Sequence, residues 1–266
     1  MDMRILMCRP DYFGVNYEIN PWMDVHKQVN RDNAIHQWET LYKTIINCGA
    51  TVELLDPVPG WPDMVFTANA GLLYQQKAVI LSHFKHKERQ GEQTYFYNWF
   101  DKSGFKVVNP SVDQQPYFEG AGDALHAGDK LFAGYGFRTQ REFYEQENYF
   151  DHSKLIYCEL ADPYFYHLDT CFCPLNDHQA IWYPEAFTKE SQKNMQEHIE
   201  LIAVNEEEAR RFACNAVVLG KNIILPAECP DISATLEKKG FTVYACEMNE
   251  YLKAGGACKC LTLRLD

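Results

Sequence analysis

The chain has 266 residues, of which 46% are hydrophobic and 23% are charged, so it can bury a core and is neither a disordered nor a fibrous protein. No apolar run approaches the ~20 residues of a membrane-spanning helix, and the N-terminus lacks the apolar stretch of a signal peptide, so we expect a cytoplasmic protein that does not bind membranes. The formal charge of −12 disfavours a nucleic-acid partner, because phosphate binding needs clustered Lys and Arg.

The predicted elements begin with a strand at Arg4–Cys8, a helix at Arg31–Asn47 and a strand at Thr51–Leu55. Four groups follow, each in the order strand, turn, strand, helix, strand. Their first strands are Leu72–Tyr74, Asp123–His126, Asp169–Pro174 and Ala216–Leu219. Their turns are Gln75–Lys77, Ala127–Lys130, Asn176–His178 and Gly220–Lys221. Their helices are Lys85–Asp101, Thr139–Tyr149, Glu185–Gln196 and Asp231–Lys239. Their last strands are Phe105–Val108, Leu155–Cys158, Ile199–Val204 and Phe241–Ala245. A final strand, Cys260–Leu265, completes a fifth group if it pairs with Arg4–Cys8.

This order recurs with a period of roughly 40 to 55 residues, which is typical of propellers and repeat arrays. Short turns between apolar strands indicate antiparallel hairpins. We therefore predict an α/β fold, a closed ring of five ββαβ units around a central active site, formed by a single domain over residues 1–266. The alternative is an open α/β sheet without a repeating order.

The ten cysteines do not indicate a disulfide framework, because such frameworks belong to short secreted chains. The Cys-x-Cys pairs Cys171/Cys173 and Cys258/Cys260 lack the Cys-x-x-Cys spacing of structural zinc sites. The chain also has no Gly-x-Gly-x-x-Gly or Walker sequence. We expect neither a metal nor a cofactor.

Several candidate site residues fall just after predicted strands. Cys260 follows a loop with Gly255 and Gly256, where glycine lets the backbone adopt positive φ and lets a ligand approach, and an exposed thiol there could be a nucleophile. A structural cysteine at the start of a strand is the alternative. His167 and Asp169 would share one face of a strand and could serve as acid/base and acceptor, although a His-x-Asp pair also occurs on protein surfaces.

The remaining candidates could hold a guanidinium or a carboxylate. Glu119 and Asp123 surround a flexible turn, and carboxylates satisfy the planar N–H donors of a guanidinium; a solvated acidic turn is the alternative. The segment after Pro62 is similar, because it offers one carboxylate, Asp63, and one amide, Asn69. Two arginines, Arg89 and Arg138, could bind an α-carboxylate, although lone arginines at helix starts are usually solvated.

Taken in order, these motifs resemble the arginine deiminase, dimethylarginine hydrolase and amidinotransferase superfamily, whose fold is the five-bladed pentein. The resemblance covers essentially the whole chain. Three segments are most similar to the arginine dihydrolases, which convert arginine to ornithine, ammonia and carbon dioxide: Asn20-Pro21-Trp22-Met23, Phe66-Thr67-Ala68-Asn69-Ala70-Gly71 and Phe118-Glu119-Gly120-Ala121-Gly122-Asp123.

The resemblance implies catalytic roles for Cys260 as the nucleophile, His167 as the acid/base and Glu119 as the guanidinium-binding carboxylate. It implies substrate contacts for Asn20, Asp63, Asn69, Arg89, Arg138 and Asp169. The substrate implied is a small guanidino compound, L-arginine in the first place, and the chemistry needs no metal or cofactor.

Two departures from the family pattern bear on the product. Deiminases usually carry Asp where this chain has Asn69, and the segment from Glu119 to Asp123 is one residue longer than theirs. Because Asn both donates and accepts hydrogen bonds, it could retain a neutral ureido intermediate for a second hydrolysis. The alternatives are an arginine deiminase or dimethylarginine hydrolase that releases citrulline, an amidinotransferase, and a non-catalytic pentein that binds a partner. The sequence leaves self-association open.

Overall fold

The computed structural model of the protein describes residues 3–74, 77–108, 116–146 and 149–266. The chain divides into two compact units, one formed by Met1–Ala68 together with Val204–Asp266 and the other by Asn69–Ala203.

The strands described, in chain order, are β1 Arg4–Cys8, β2 Thr51–Leu55, β3 Gly71–Tyr74, β4 Ala78–Leu81, β5 Lys106–Val108, β6 Ala124–Ala127, β7 Lys130–Tyr135, β8 Leu155–Glu159, β9 Phe172–Pro174, β10 Gln179–Trp182, β11 Glu200–Ala203, β12 Val217–Leu219, β13 Asn222–Pro226, β14 Thr242–Cys246 and β15 Leu263–Arg264. The α-helices described are α1 Arg31–Asn47, α2 Lys87–Gln90, α3 Glu92–Lys102, α4 Arg141–Tyr144, α5 Lys189–His198, α6 Glu206–Ala209, α7 Pro230–Lys238 and α8 Asn249–Leu252. Short 3₁₀ turns lie at Pro62–Val65, Thr67–Ala70, Gly120–Gly122 and Leu168–Thr170, among other places.

The same pairing pattern occurs in five three-stranded sheets of the described chain. In four of them, the middle strand pairs antiparallel with the strand before it in the chain and parallel with the strand after it. In the fifth, β1 pairs antiparallel with the C-terminal β15 and parallel with β2. The sheets β15-β1-β2 and β12-β13-β14 belong to the first unit, and β3-β4-β5, β6-β7-β8 and β9-β10-β11 belong to the second. The predicted ββαβ repeats, including the pairing of the C-terminal strand with β1, are confirmed.

Helix α1 shows how the sequence specifies these elements. It begins after Asn30, whose side chain accepts a hydrogen bond from the backbone N–H of Asn33, as N-cap residues do. The helix ends before Gly49, which adopts a φ of +92°. Its apolar side chains recur at helical spacing and are buried in the core of the first unit: Ala34, Trp38, Leu41 and Ile45.

The core of the second unit is rich in aromatic rings. Phe118 stacks on Phe143 with ring centroids 4.2 Å apart, and Phe132 packs on Phe172 at 4.7 Å. The buried hydroxyl of Tyr144 donates hydrogen bonds to the carbonyl oxygens of Asp123 at 2.9 Å and Gly134 at 3.2 Å. These bonds link the residue just before β6 to the end of β7.

Several predicted boundaries are wrong. The strand predicted at Asp169–Pro174 begins only at Phe172, because Leu168–Thr170 forms a 3₁₀ turn. The strand predicted to start at Cys260 starts at Leu263.

Some of the predicted helices are also shorter or divided in the structure, whereas Arg31–Asn47 has the predicted bounds. The long helix Lys85–Asp101 is divided at Gly91 into α2 and α3, and α4 covers only the first part of the predicted Thr139–Tyr149. Part of the predicted turn, Gln75–Gln76, lies outside the described residues. Among those that are described, no helix is long and apolar enough to cross a membrane.

Candidate active site

Four of the candidate residues, Asn69, Glu119, His167 and Cys260, lie ahead of the first strand of a repeat, whereas Arg138 follows β7. Asn69 sits in the turn before β3, and Glu119 immediately precedes the turn that leads into β6. In the same way, His167 precedes the turn into β9 and Cys260 lies in the turn before β15. A tight turn places side chains outside the strand ladder, where their polar groups can contact one another instead of packing on a sheet face.

In the second unit, the carboxylate of Glu119 is completely buried and has three polar contacts. Its Oε2 atom accepts a hydrogen bond from Nη1 of Arg138 at 2.9 Å and lies 2.7 Å from Nε2 of His167. Its Oε1 atom accepts from the backbone N–H of Lys85 at 3.2 Å. Burial alone raises the pKa of Glu119, but the charge of Arg138 and the hydrogen bond from His167 outweigh burial and hold the pKa well below its usual value. Glu119 is therefore ionised and can only accept, so Nε2 of His167 carries the proton.

Asp123 has a different environment and a different role. Its Oδ2 atom accepts from the hydroxyl of Thr139 at 2.6 Å, and its Oδ1 atom accepts from the backbone N–H of Leu168 at 3.0 Å. Burial is the main cause that raises the pKa of Asp123 to about 6. The Thr139 hydroxyl in turn accepts from the backbone N–H of Glu119 at 3.0 Å. Asp123 therefore fixes the segments that carry Glu119 and His167.

Arg89 is buried, contrary to the expectation that a lone arginine at a helix start is solvated. Its Nε and Nη2 atoms donate to the two carboxylate oxygens of Glu92 at 3.1 Å and 2.8 Å. Its Nη1 atom donates to Oδ1 of Asn69 at 3.0 Å, and Nδ2 of Asn69 donates to the carbonyl oxygen of Glu119 at 3.0 Å. A guanidinium only donates and a carbonyl only accepts, so these two partners fix the orientation of the Asn69 amide.

Aromatic rings support both guanidinium groups. The guanidinium carbon of Arg138 lies 4.6 Å from the centre of the Tyr166 ring, and that of Arg89 lies 4.6 Å from the centre of the Phe84 ring. Both arginine residues are only 3% exposed. One hydrogen-bonded network thus joins five of the predicted site residues: Asn69, Arg89, Glu119, Arg138 and His167.

In the first unit, Cys260 is buried, with 4% of its surface exposed. The prediction of an exposed thiol at this position is therefore wrong. Its sulfur accepts a hydrogen bond from Nδ2 of Asn215 at 3.1 Å. Gly255 has a φ of +78°, as a turn before the thiol requires. The space beside Gly256 is filled by the ring of Phe66.

The other cysteine of this Cys-x-Cys pair, Cys258, lies in a setting that disfavours its thiolate. Cys258 is completely buried, and burial is the main cause that raises its pKa well above the usual value. All ten cysteines lie within the described residues, and none of them forms a disulfide bond. The assignment of the nucleophile to Cys260 and not to Cys258 remains a prediction.

Three further predicted substrate contacts are engaged within the protein or buried. The Asn20 amide donates to the carbonyl oxygen of Ala254 at 3.0 Å and accepts from the backbone N–H of Trp22 at 2.9 Å, which fixes the glycine loop. Asp63 is buried in the turn Pro62–Val65, and Asp169 is buried in the turn Leu168–Thr170. Their roles toward a substrate remain predictions.

The sequence analysis missed several residues of these networks, Glu92, Thr139 and Asn215 among them. Glu92 lies three residues after Arg89 in a highly charged segment, and nothing in that segment marks the pair as buried. Asn215 had a usable signal, because it lies two residues ahead of β12, in the place that Asn69 occupies ahead of β3. Over the described ranges, no group of three or more His, Cys, Asp or Glu side chains could hold a metal ion.

The chain is similar in sequence to several known proteins. A family model described as "N,N dimethylarginine dimethylhydrolase, eukaryotic" matches residues 9–265. The bifunctional arginine dihydrolase/ornithine cyclodeaminase ArgZ of a Synechocystis species is 46% identical over 99% of this chain, which spans 38% of that protein's length. The N(G),N(G)-dimethylarginine dimethylaminohydrolase of Mycobacterium tuberculosis is 37% identical, over 98% of this chain and 85% of that protein.

Solved structures give the same result for the fold. The substrate-bound N-terminal domain of ArgZ, an arginine dihydrolase studied as a cysteine-to-serine variant, matches with a TM-score of 0.92 at 45% identity, over 99% of this chain and 98% of that chain. An asparagine-to-serine variant of that domain, covalently bound to a reaction intermediate, matches with a TM-score of 0.93 at 44% identity, over 100% of this chain and 98% of that one. The predicted fold class, an α/β pentein of five ββαβ repeats, is confirmed.

Proposed function

The chain belongs to the N,N-dimethylarginine dimethylhydrolase family, and on that premise we propose that it is a cysteine-dependent arginine dihydrolase that releases ornithine, ammonia and carbon dioxide. The observation that carries the proposal is the completely buried carboxylate of Glu119, whose Oε2 atom lies 2.7 Å from Nε2 of His167. A carboxylate of this kind suits a guanidinium, since it already contacts the guanidinium of Arg138, and His167 beside it can transfer the protons that hydrolysis requires.

The first hydrolysis assigns one role to each catalytic residue. The Cys260 thiolate forms a C–S bond to the guanidinium carbon, one terminal C–N bond breaks, and ammonia leaves with a proton from His167. Glu119 holds the cation in plane while this occurs. A water that loses its proton to His167 then attacks the S-alkylthiouronium carbon, and the C–S bond breaks to give citrulline.

The second hydrolysis depends on Asn69. Cys260 attacks the ureido carbon, the second ammonia leaves, and water releases the carbamate of ornithine, which loses carbon dioxide. One arginine and two waters thus give ornithine, two ammonia and carbon dioxide. The ureido oxygen needs a hydrogen-bond donor, and the amide of Asn69, whose orientation Arg89 and Glu119 fix, supplies one where a carboxylate could not.

The clamp for the α-carboxylate is assigned to Arg89 and Arg138, supported by their burial and by the rings beneath them. Asn20, Asp63 and Asp169 are assigned further contacts with the substrate. In this proposal residues 1–266 act as one guanidino-modifying domain without a cofactor, a nucleic-acid partner or a membrane partner. The cytoplasmic location stays a prediction, and self-association stays open.

A second candidate is hydrolysis of methylated arginine to citrulline and a methylamine. Two findings favour it: the description of the matched family, and the relative from Mycobacterium tuberculosis, which this chain covers over most of its length. Both candidates use the same nucleophile, and they differ in the substrate and in the number of hydrolyses.

Product analysis separates the two candidates. The purified protein is incubated with L-arginine or with N,N-dimethylarginine, and ornithine, citrulline, ammonia and methylamines are measured together. We expect ornithine and about two ammonia per arginine, loss of turnover in Cys260→Ser, and retained turnover in the matched control Cys258→Ser. Citrulline with one ammonia indicates a deiminase, and turnover of only the methylated substrate indicates the second candidate. No turnover of either substrate favours a non-catalytic binding protein.

A further inference from the structure

We propose that Asn215 is a positioning residue for Cys260, which holds the turn that carries the sulfur and donates a hydrogen bond that favours its thiolate. The inference rests on the proposed role of Cys260 as the nucleophile. It is drawn from the first unit alone, where both side chains are buried.

The orientation of the Asn215 side chain follows from its partners. Its Oδ1 atom accepts from the backbone N–H groups of Ala257 at 3.2 Å and Cys260 at 3.1 Å. A backbone N–H can only donate, so the atom that faces these two groups must be the amide oxygen. The atom that faces the sulfur, 3.1 Å away, must then be the NH₂ group.

Asn215 also holds the rest of the turn. Its carbonyl oxygen accepts from the backbone N–H of Lys259 at 3.1 Å. Four hydrogen bonds to one residue therefore reach Ala257, Lys259 and Cys260, the segment in which the thiol lies. Asn215 is itself fixed, because its backbone N–H donates to the carbonyl oxygen of Phe212 at 2.8 Å.

The donor to the sulfur offsets the effect of burial. A buried thiol loses the water that would solvate its thiolate, which disfavours ionisation. An N–H group aimed at the sulfur favours ionisation, because a thiolate accepts a stronger hydrogen bond than a neutral thiol does. Two titratable side chains adjoin Cys260 in sequence. Cys258 stays protonated because it is buried, and the Lys259 ammonium points to the carbonyl oxygen of Thr262 at 3.5 Å.

Asn215→Asp separates the two functions of the amide. The carboxylate keeps an oxygen for the N–H groups of Ala257 and Cys260, so the turn keeps its acceptor. The oxygen that replaces Nδ2 cannot donate when ionised, and its charge opposes a thiolate. Asn33→Asp is the matched control, because it makes the same chemical change at an exposed position near the start of α1 in the same unit.

The experiment measures the rate of iodoacetamide alkylation at Cys260, by mass spectrometry of the peptide, as a function of pH in each folded variant. We expect Asn215→Asp to raise the midpoint of the profile by at least about one pH unit, which slows alkylation near pH 7 by about tenfold. Turnover of arginine should fall in parallel near neutral pH and recover at alkaline pH. Asn33→Asp should leave the profile unchanged.

Equal midpoints in the wild type and Asn215→Asp would overturn the inference, as would a rate that falls at every pH without a shift of the midpoint. If Asn215→Asp does not fold, the same alkylation profile is measured for Asn215→Ser, whose side chain is neutral and too short to reach both the backbone and the sulfur. A raised midpoint then supports the inference, and an unchanged midpoint overturns it. Failure of the proposed function looks different. In that case the wild-type protein does not turn over arginine, or alkylation of its Cys260 leaves turnover intact, whatever the midpoints are.

Discussion

Replacing Asn69 by Asp is expected to stop the reaction after the first hydrolysis. In the wild type, Nδ2 of Asn69 donates to the carbonyl oxygen of Glu119 at 3.0 Å, and Oδ1 accepts from Arg89 at 3.0 Å. In the Asn69→Asp variant, an ionised carboxylate keeps the contact with Arg89 as an ion pair but loses the contact with Glu119. It also places an oxygen against the Glu119 carbonyl and has no donor for a ureido oxygen.

The magnitude follows from the burial of the amide. Losing a hydrogen bond at a buried site costs about 1 to 3 kcal/mol. If the same cost applies to the ureido intermediate, the second hydrolysis slows by roughly five- to 150-fold. The first hydrolysis should slow less, because the substrate is then a cation and a carboxylate near it is favourable.

The assay measures citrulline, ornithine and ammonia during turnover of L-arginine by Asn69→Asp. Citrulline should accumulate, and the ammonia released per arginine should fall from about two toward one. Asn194→Asp is the matched control, since Nδ2 of Asn194 also donates to a backbone carbonyl in the second unit, that of Tyr157 at 3.2 Å. The reasoning is refuted if folded Asn69→Asp produces ornithine and ammonia in the wild-type ratio.

Three further outcomes follow from the second unit. Gly122→Ala should lower turnover, because an added Cβ would overlap Nδ2 of Asn69 and displace its amide; wild-type steady-state kinetics in the folded variant would contradict this. The pKa of Asp123 is raised from 3.8 to about 6, so its contribution to stability is complete below pH 3.8 and is lost as the pH rises through about 6. Relative to Asp123→Asn, the wild-type free energy of unfolding should therefore fall by roughly 3 kcal/mol between about pH 4 and pH 7. Urea unfolding of both proteins checks this, and a difference in unfolding free energy that is the same at every pH would disprove it. Tyr144→Phe should destabilise the protein by about 1 to 2 kcal/mol in the same measurement, because its hydroxyl bonds two carbonyl oxygens, and an unchanged midpoint would count against that role.

Local sequence signals were sufficient for most of the fold. The strand Thr51–Leu55 and the helix Arg31–Asn47 have the predicted bounds, because an N-cap at Asn30 and a glycine at Gly49 delimit the helix. Hairpins with turn-forming residues and a fixed element order were enough to predict five repeats. Such signals act between neighbouring residues, so they do not depend on the tertiary fold.

The site could be predicted only in part, because burial is a tertiary property. The segment around Arg89 contains many charges, and its sequence is typical of a solvated helix, yet Arg89 and Glu92 pair inside the protein. His167 and Asp169 were assigned to a strand, and a 3₁₀ turn replaces it. Asn215 lies in no recognised motif, and only its position ahead of a strand relates it to the other site residues.

The most direct test of the account is to identify which side chain bonds to the substrate during turnover. The wild-type protein is quenched with acid while it turns over L-arginine, and peptides that contain Cys258 and Cys260 are analysed by fragmentation mass spectrometry. The account predicts a covalent adduct of the arginine-derived group on the Cys260 sulfur that is absent from Cys260→Ser. An adduct on Cys258, or turnover by Cys260→Ser at the wild-type rate, would contradict it.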